Sequence, residues 1–183
     1  ADDLASLESI FQAAGAVAEG TRAAEARAAL LAAAGKTAEA VTAWQSAAAL
    51  WQAASRPDAA AAALEKALAL DPGNRATFDG LRALHEQSGD WRAYARATDV
   101  FLTRLGDRAA RAALLEELGA VHETRLGQSE MGFLAWCRAF QEDPGSERAR
   151  AAAGICDRRA ARGKEAPRTR SRAGSSAGRA QRW

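Results

Sequence analysis

Ala62-Ala63-Leu64-Glu65-Lys66-Ala67-Leu68-Ala69-Leu70-Asp71-Pro72-Gly73-Asn74 is the stretch that decides the fold. Its apolar side chains recur three and four residues apart, the spacing of one helix face rather than the alternation of a strand. The run stops at Asp71-Pro72-Gly73, where proline cannot continue the ladder and glycine can take a positive φ. Asn74 then suits the N-cap of a following helix. The same punctuation returns at Asp143-Pro144-Gly145-Ser146, again ending on a capping residue.

Outward from these turns, breakers fall at Gly20, Gly35, Ser55-Arg56-Pro57-Asp58, Gly89-Asp90, Gly106-Asp107 and Gly127. The gaps are about 14 to 19 residues, the length of ordinary globular helices. Helices are expected near 3–18, 21–34, 37–54, 58–70, 75–88, 91–104, 108–125, 129–142 and 146–161. Asp58, Asp90 and Asp107 are placed to cap theirs. Loops this short make successive helices antiparallel neighbours.

Composition agrees. Alanine supplies more than a quarter of the 183 residues, whereas tyrosine and methionine occur once each. Alanine is the best helix former and a poor strand former. The class is all-α.

The helices also repeat. Trp44, Ala47, Ala48 and Trp51 share one helix face; Phe78, Leu81 and His85 recur about 34 residues on, and Leu115, Leu118, Gly119 and His122 about 37 further. A second pattern follows in the next helix, as Ala60, Leu64, Ala67 and Pro72, then as Gly132, Trp136, Ala139 and Pro144. Small residues let two helices approach, and large ones fill the notch opposite.

On these residues the chain resembles the tetratricopeptide repeat family. Leu115-Glu116-Glu117-Leu118-Gly119-Ala120-Val121-His122 is similar to the family's first helix, and Ala62–Asn74 to its second helix and exit turn. The region 21–50 fits as well, through Gly35 to Ala47, but in a frame that makes 37–54 a second helix. The preferred frame has units near 41–74, 75–111 and 112–146, because both Asp-Pro turns then close a unit. The unit 75–111 departs most, with Tyr94 and Thr98 where small and bulky residues are expected. The resemblance implies a right-handed superhelical solenoid of antiparallel pairs, about 8–9 helices in all. The expected organisation is an N-terminal helix over 1–20, an array over 21–161 and a disordered basic tail over 162–183.

Catalytic chemistry has little to work with. His85 and His122 occupy the same slot of the first helix, which the family fills with an aromatic, so both are expected in the core or groove wall. A metal site needs a cluster of ligands, and a Ser-His-Asp arrangement needs a free histidine base. Cys137 and Cys156 form no Cys-x-x-Cys pair and read as buried free thiols. Gly35-Lys36-Thr37 lacks the earlier glycine of a phosphate loop and follows a helix. Glu116 and Glu117 point about 100° apart on their helix and read as a solvated face. Trp44, Trp51, Trp91 and Trp136 read as packing anchors. The expectation is no enzyme, no cofactor and no metal.

The resemblance further implies that first helices line a concave surface where a partner protein binds. Offset from the core stripe lie Thr42, Gln45, Ala49 and Gln52, then Asp79, Ala83 and Glu86, then Glu116, Ala120 and Glu123. Four of these are carboxylates and none is a cation, so the expected groove is polar at one end and acidic beyond it. It lacks the lysines and arginines of the family's carboxylate clamp, and a basic or polar partner segment fits better than an acidic one.

Charge is split along the chain. Residues 1–157 carry 16 Lys+Arg against 22 Asp+Glu, and 158–183 carry 9 against 1. Such a tail could bind nucleic acid without sequence preference, which is the alternative to the protein-binding reading. No apolar run approaches the roughly 20 residues of a membrane helix, and the cytoplasm is the expected compartment. A start at Ala1-Asp2-Asp3 without methionine is expected of a chain processed or cut from a longer one, so a signal upstream stays open.

Overall fold

A computed structural model describes residues 17–152 together with Ser6, Ile10 and Gly154. The expected N-terminal helix, most of the helix after residue 146, Cys156 and the basic tail over 162–183 lie outside the described residues.

The described chain is helical, with seven full helices: α1 (Val17–Ala33), α2 (Thr37–Ala53), α3 (Pro57–Leu70), α4 (Arg75–Ser88), α5 (Trp91–Leu102), α6 (Arg108–Thr124) and α7 (Ser129–Glu142). A further helical segment begins at 147, with 147–152 and Gly154 described. Each helix packs on the next in sequence, and α3 also touches α5. The result is the antiparallel helix-pair array that the tetratricopeptide resemblance implies.

Capping follows the polar residues at the breakers. Asn74 Oδ1 accepts from Thr77 N at 3.0 Å, Asp90 Oδ1 from Ala93 N at 2.9 Å, Asp107 Oδ1 from Ala109 N at 3.0 Å and Ser146 Oγ from Ala149 N at 3.1 Å. Each satisfies an amide the helix cannot pair internally. Asp58 does not cap: α3 already starts at Pro57, its N-cap is Arg56, and Asp58 sits in the first turn. Proline at N1 has no amide to satisfy, so the helix gains its turn one residue earlier.

Two other expectations are corrected. Gly20 does not break the chain, since α1 runs through it from Val17. A helical glycine costs only about 1 kcal/mol, and the buried Ala23, Ala24, Ala28 and Leu31 hold the helix from one side. Nor do Gly73 and Gly145 take positive φ; Gly35, Gly89 and Gly127 do. The Asp-Pro-Gly turns are closed by side chains instead. Asp71 Oδ1 accepts from Gly73 N at 3.2 Å and Asp143 Oδ1 from Gly145 N at 2.9 Å. Gly89, at φ +72, is the left-handed C-cap of α4.

The core lies between the helices of each pair and between pairs. Trp44, Leu64 and Ala67 fill it under α2 and α3. In the irregular middle unit, Phe78 of α4 stacks on Phe101 of α5 with ring centroids 4.3 Å apart and planes 5° from parallel. Burying each ring contributes about 2–3 kcal/mol. Tyr94 and Thr98 are buried as well, and Thr98 Oγ1 returns its hydrogen to Tyr94 O at 2.8 Å. In the last pair Gly119 lies against the indole of Trp136, and Gly132 against Glu123. The small-against-large pairing is clearest there.

Candidate functional site

Three side-chain links string alternate helices in order. Gln45 on α2 donates through Nε2 to Thr77 Oγ1 at 2.8 Å and to Asn74 Oδ1 at 3.3 Å, at the start of α4. Arg82 on α4 places Nη1 2.9 Å from Glu117 Oε2 on α6. Glu116 on α6 accepts a hydrogen bond from Ser146 Oγ and lies 3.7 Å from Arg148 Nη1, at the start of the segment 147–152. These links join α2, α4, α6 and 147–152 into one layer.

The seven polar residues of the expected groove occupy this layer in different ways. Thr42 and Gln52 are exposed, and the Thr42 hydroxyl donates back to Ala38 O at 3.0 Å. Asp79 and Glu86 are exposed too, but each carries its own cation one helical turn earlier. Arg75 Nε lies 2.9 Å from Asp79 Oδ2, and Arg82 Nε 2.9 Å from Glu86 Oε1. Gln45 and Glu116 are links between helices rather than open surface. Glu123 is half-buried over Gly132, where an added Cβ would meet its Cγ at 2.6 Å.

The arginines are what the sequence reading missed. They were legible as Arg-x-x-x-acid spacings, which bring side chains together on a helix surface. Arg82 is the centre of the cluster. It pairs with Glu86 and Glu117, and its guanidinium lies 5.8 Å from the ring centroid of Tyr94. Burial works against its charge, but the bond to Glu86 and the nearby Tyr94 and Glu117 more than compensate and raise its pKa. The Tyr94 hydroxyl is 3.5 Å from Glu117 Oε2. Burial pushes its pKa above the ordinary 10.0, and Arg82 pulls the other way. Glu116 and Glu117 are therefore not a solvated face; both are half-buried and engaged.

The histidines are buried, as expected of their slot. His122 Nδ1 lies 2.9 Å from Gln128 Oε1. His85 Nε2 has no hydrogen-bond partner within the described chain. Its pKa is lowered chiefly by burial, partly offset by Glu65 and Asp90. Trp44 and Trp136 are buried, while Trp51 and Trp91 are half-buried. Cations lie over their rings, the closest being Lys66 Nζ at 4.3 Å from the Trp44 centroid. Cys137 is half-buried rather than buried. Among the described residues no cluster of three or more His, Cys, Asp or Glu is placed to hold a metal, and no helix is long and apolar enough to cross a membrane.

No protein-family model matches the chain, and no curated protein matches it. Solved structures do. MamA is similar at 17% identity over 85% of each chain, with a TM-score of 0.44. A tetratricopeptide repeat protein from Parabacteroides merdae is similar at 12% identity over 90% of this chain and 61% of that one, with a TM-score of 0.46. A chain of the APC/C hetero-tetramer Cut9-Hcn1 matches at 13% identity over 82% of this chain and 35% of its own, with a TM-score of 0.41.

Proposed function

We propose that this helix-pair array is a protein-holding module, and that the layer of α2, α4 and α6 receives a polar or basic segment of the partner. The observation that supports it is the exposed strip from Thr42 and Gln52 through Asp79 and Glu86, carried on alternate helices that side-chain links fix to one another. A strip held in one arrangement loses little entropy on binding. Asp79, Glu86, Glu116 and Glu117 stand against Arg75, Arg82 and Arg148, so the layer is mixed in charge with one carboxylate in excess. Complementary charge then governs choice of partner and rate of encounter more than affinity.

The test is affinity capture with the full chain as bait and mass spectrometry as readout, repeated with Asp79→Lys and Glu86→Lys together. Both carboxylates are exposed, so the fold should survive. Loss of one or more specific partners is expected. Retention of every partner would remove the strip from the binding surface.

A second reading rests on the charge split: 9 Lys+Arg against 1 Asp+Glu in 158–183. Nucleic acid held by this tail would bind with a steep salt dependence. Deleting 162–183 would abolish that binding, and an unshifted duplex or RNA at low salt with the full chain would end this reading.

A further inference from the structure

Residues of α3 and α5 face each other across a groove floored by α4. One part is a cleft of about 410 Å³ at the start of α3 and α5, lined by Asp58, Glu65, His85, Asp90 and Arg96 among others. The other, of about 210 Å³, is lined mainly by apolar groups, including Leu68, Leu81, Ala97 and Val100. The two adjoin, since Glu65, Ala93 and Arg96 line both. Val100 is 40% exposed at the apolar end. Such a groove, open along its length, suits a passing chain segment better than an enclosed small molecule.

The polar end contains an unanswered group. The His85 side chain is 6% exposed, and the nearest carboxylate oxygen, Glu65 Oε1, is 3.9 Å from Nε2, beyond hydrogen-bond reach. The same slot is satisfied in the neighbouring units. Trp51 Nε1 donates to Glu25 Oε1 at 3.0 Å, and His122 Nδ1 is bonded to Gln128. A buried polar atom without a partner carries its desolvation penalty unanswered, which a ligand reaching it would recover. Three carboxylates, Asp58, Glu65 and Asp90, stand against one lining cation, Arg96.

We propose that this groove holds a peptide segment with an aliphatic side chain and, a few residues away, a lysine or arginine. The aliphatic group covers Leu68, Leu81 and Val100. The cation sits among Asp58, Glu65 and Asp90 and donates a hydrogen bond to His85 Nε2. This site is separate from the strip on α2, α4 and α6.

The test uses the full chain and an immobilised set of hexapeptides. Each peptide carries one leucine and, at every spacing, one lysine, arginine, glutamate or alanine. Binding is expected for one or a few lysine or arginine spacings, with the glutamate counterparts at least about tenfold weaker, a difference of about 1.4 kcal/mol. A retained peptide, added free, should shift the His85 ring resonances saturably and leave those of His122 in place. Glu65→Lys, at an exposed position, should weaken binding about tenfold or more. Asp79→Lys with Glu86→Lys should leave it unchanged, which separates this site from the strip. The proposal is overturned if no spacing moves the His85 signal, if glutamate peptides bind as well, or if Glu65→Lys has no effect. A dimer in sedimentation that Glu65→Lys dissociates would also overturn it, in favour of a second copy of the chain.

Discussion

Replacing Gly119 by alanine sets two effects of known sign against each other. Alanine in a helix interior is favoured over glycine by about 1 kcal/mol. Against that, a Cβ at 119 would lie 2.8 Å from Cε2 and 2.9 Å from Cδ2 and Nε1 of Trp136. Trp136 is 3% exposed, with no open side to retreat into. Overpacking of a close-packed core costs about 1–3 kcal/mol, and three contacts this short place the cost toward the upper end. The expected net loss is about 1–2 kcal/mol, read as a lower urea midpoint with an unchanged slope, or a fall in Tm of about 2–4 °C per kcal/mol. Gly80→Ala is the control. Its nearest neighbour would be Leu64 Cδ1 at 3.1 Å, the end of a flexible side chain, so most of the helical gain survives and the variant should gain about 0.5 kcal/mol. Pairing Gly119→Ala with Trp136→Leu should return a coupling energy of about 1 kcal/mol or more in a double-mutant cycle. A Gly119→Ala chain as stable as the parent would refute the claim that a missing Cβ sets the approach of α6 to α7.

Further outcomes are expected elsewhere. Tyr94 is the only tyrosine, so alkaline absorbance titration reports it alone. It should ionise above 10.0 because of burial, and Glu117→Gln should bring the value down. An ordinary titration in the folded chain would contradict its burial. Ser55 stands at φ 57 without being glycine. Ser55→Gly should therefore stabilise the α2–α3 turn by about 0.5–1 kcal/mol, measured as a rise in Tm, because the left-handed region costs an L side chain about 1–2 kcal/mol. His85 has a pKa below 6.5 in the folded chain, so between that lowered value and 6.5 the unfolded chain binds the extra proton. The stability this contributes is complete above 6.5 and is lost as pH falls through the window. Urea midpoints of the parent should drop there more steeply than those of His85→Phe, and parallel curves would contradict the assignment.

The helix pattern was legible because glycine, proline and capping residues act locally. Expected starts at 75, 91, 108 and 129 coincide with those of α4, α5, α6 and α7. What escaped the reading depended on neighbours in space or on small energies. Gly20 carries a helix because the penalty is small beside the packing of Ala24, Ala28 and Leu31. The groove residues were placed by helical position, which fixes where a Cβ points but not what reaches across it. Thus Asp79 and Glu86 lie on the outward face, yet Arg75 and Arg82 fold over them. Gln45 and Glu116 proved to be links because their targets, Asn74 with Thr77 and Ser146, lie about thirty residues away in sequence.

Asn74 Oδ1 accepts from Thr77 N, Thr77 Oγ1 and Gln45 Nε2 at once, at 3.0, 3.0 and 3.3 Å. The first turn is the costly step in making any helix, since several residues are fixed before bonds repay them. Here that step for α4 is completed partly by a side chain from α2, and Glu116 lends the same help at Ser146. A finished unit therefore primes its successor, as a growing polymer end prepares the site of the next addition, and order is passed along the array from neighbour to neighbour.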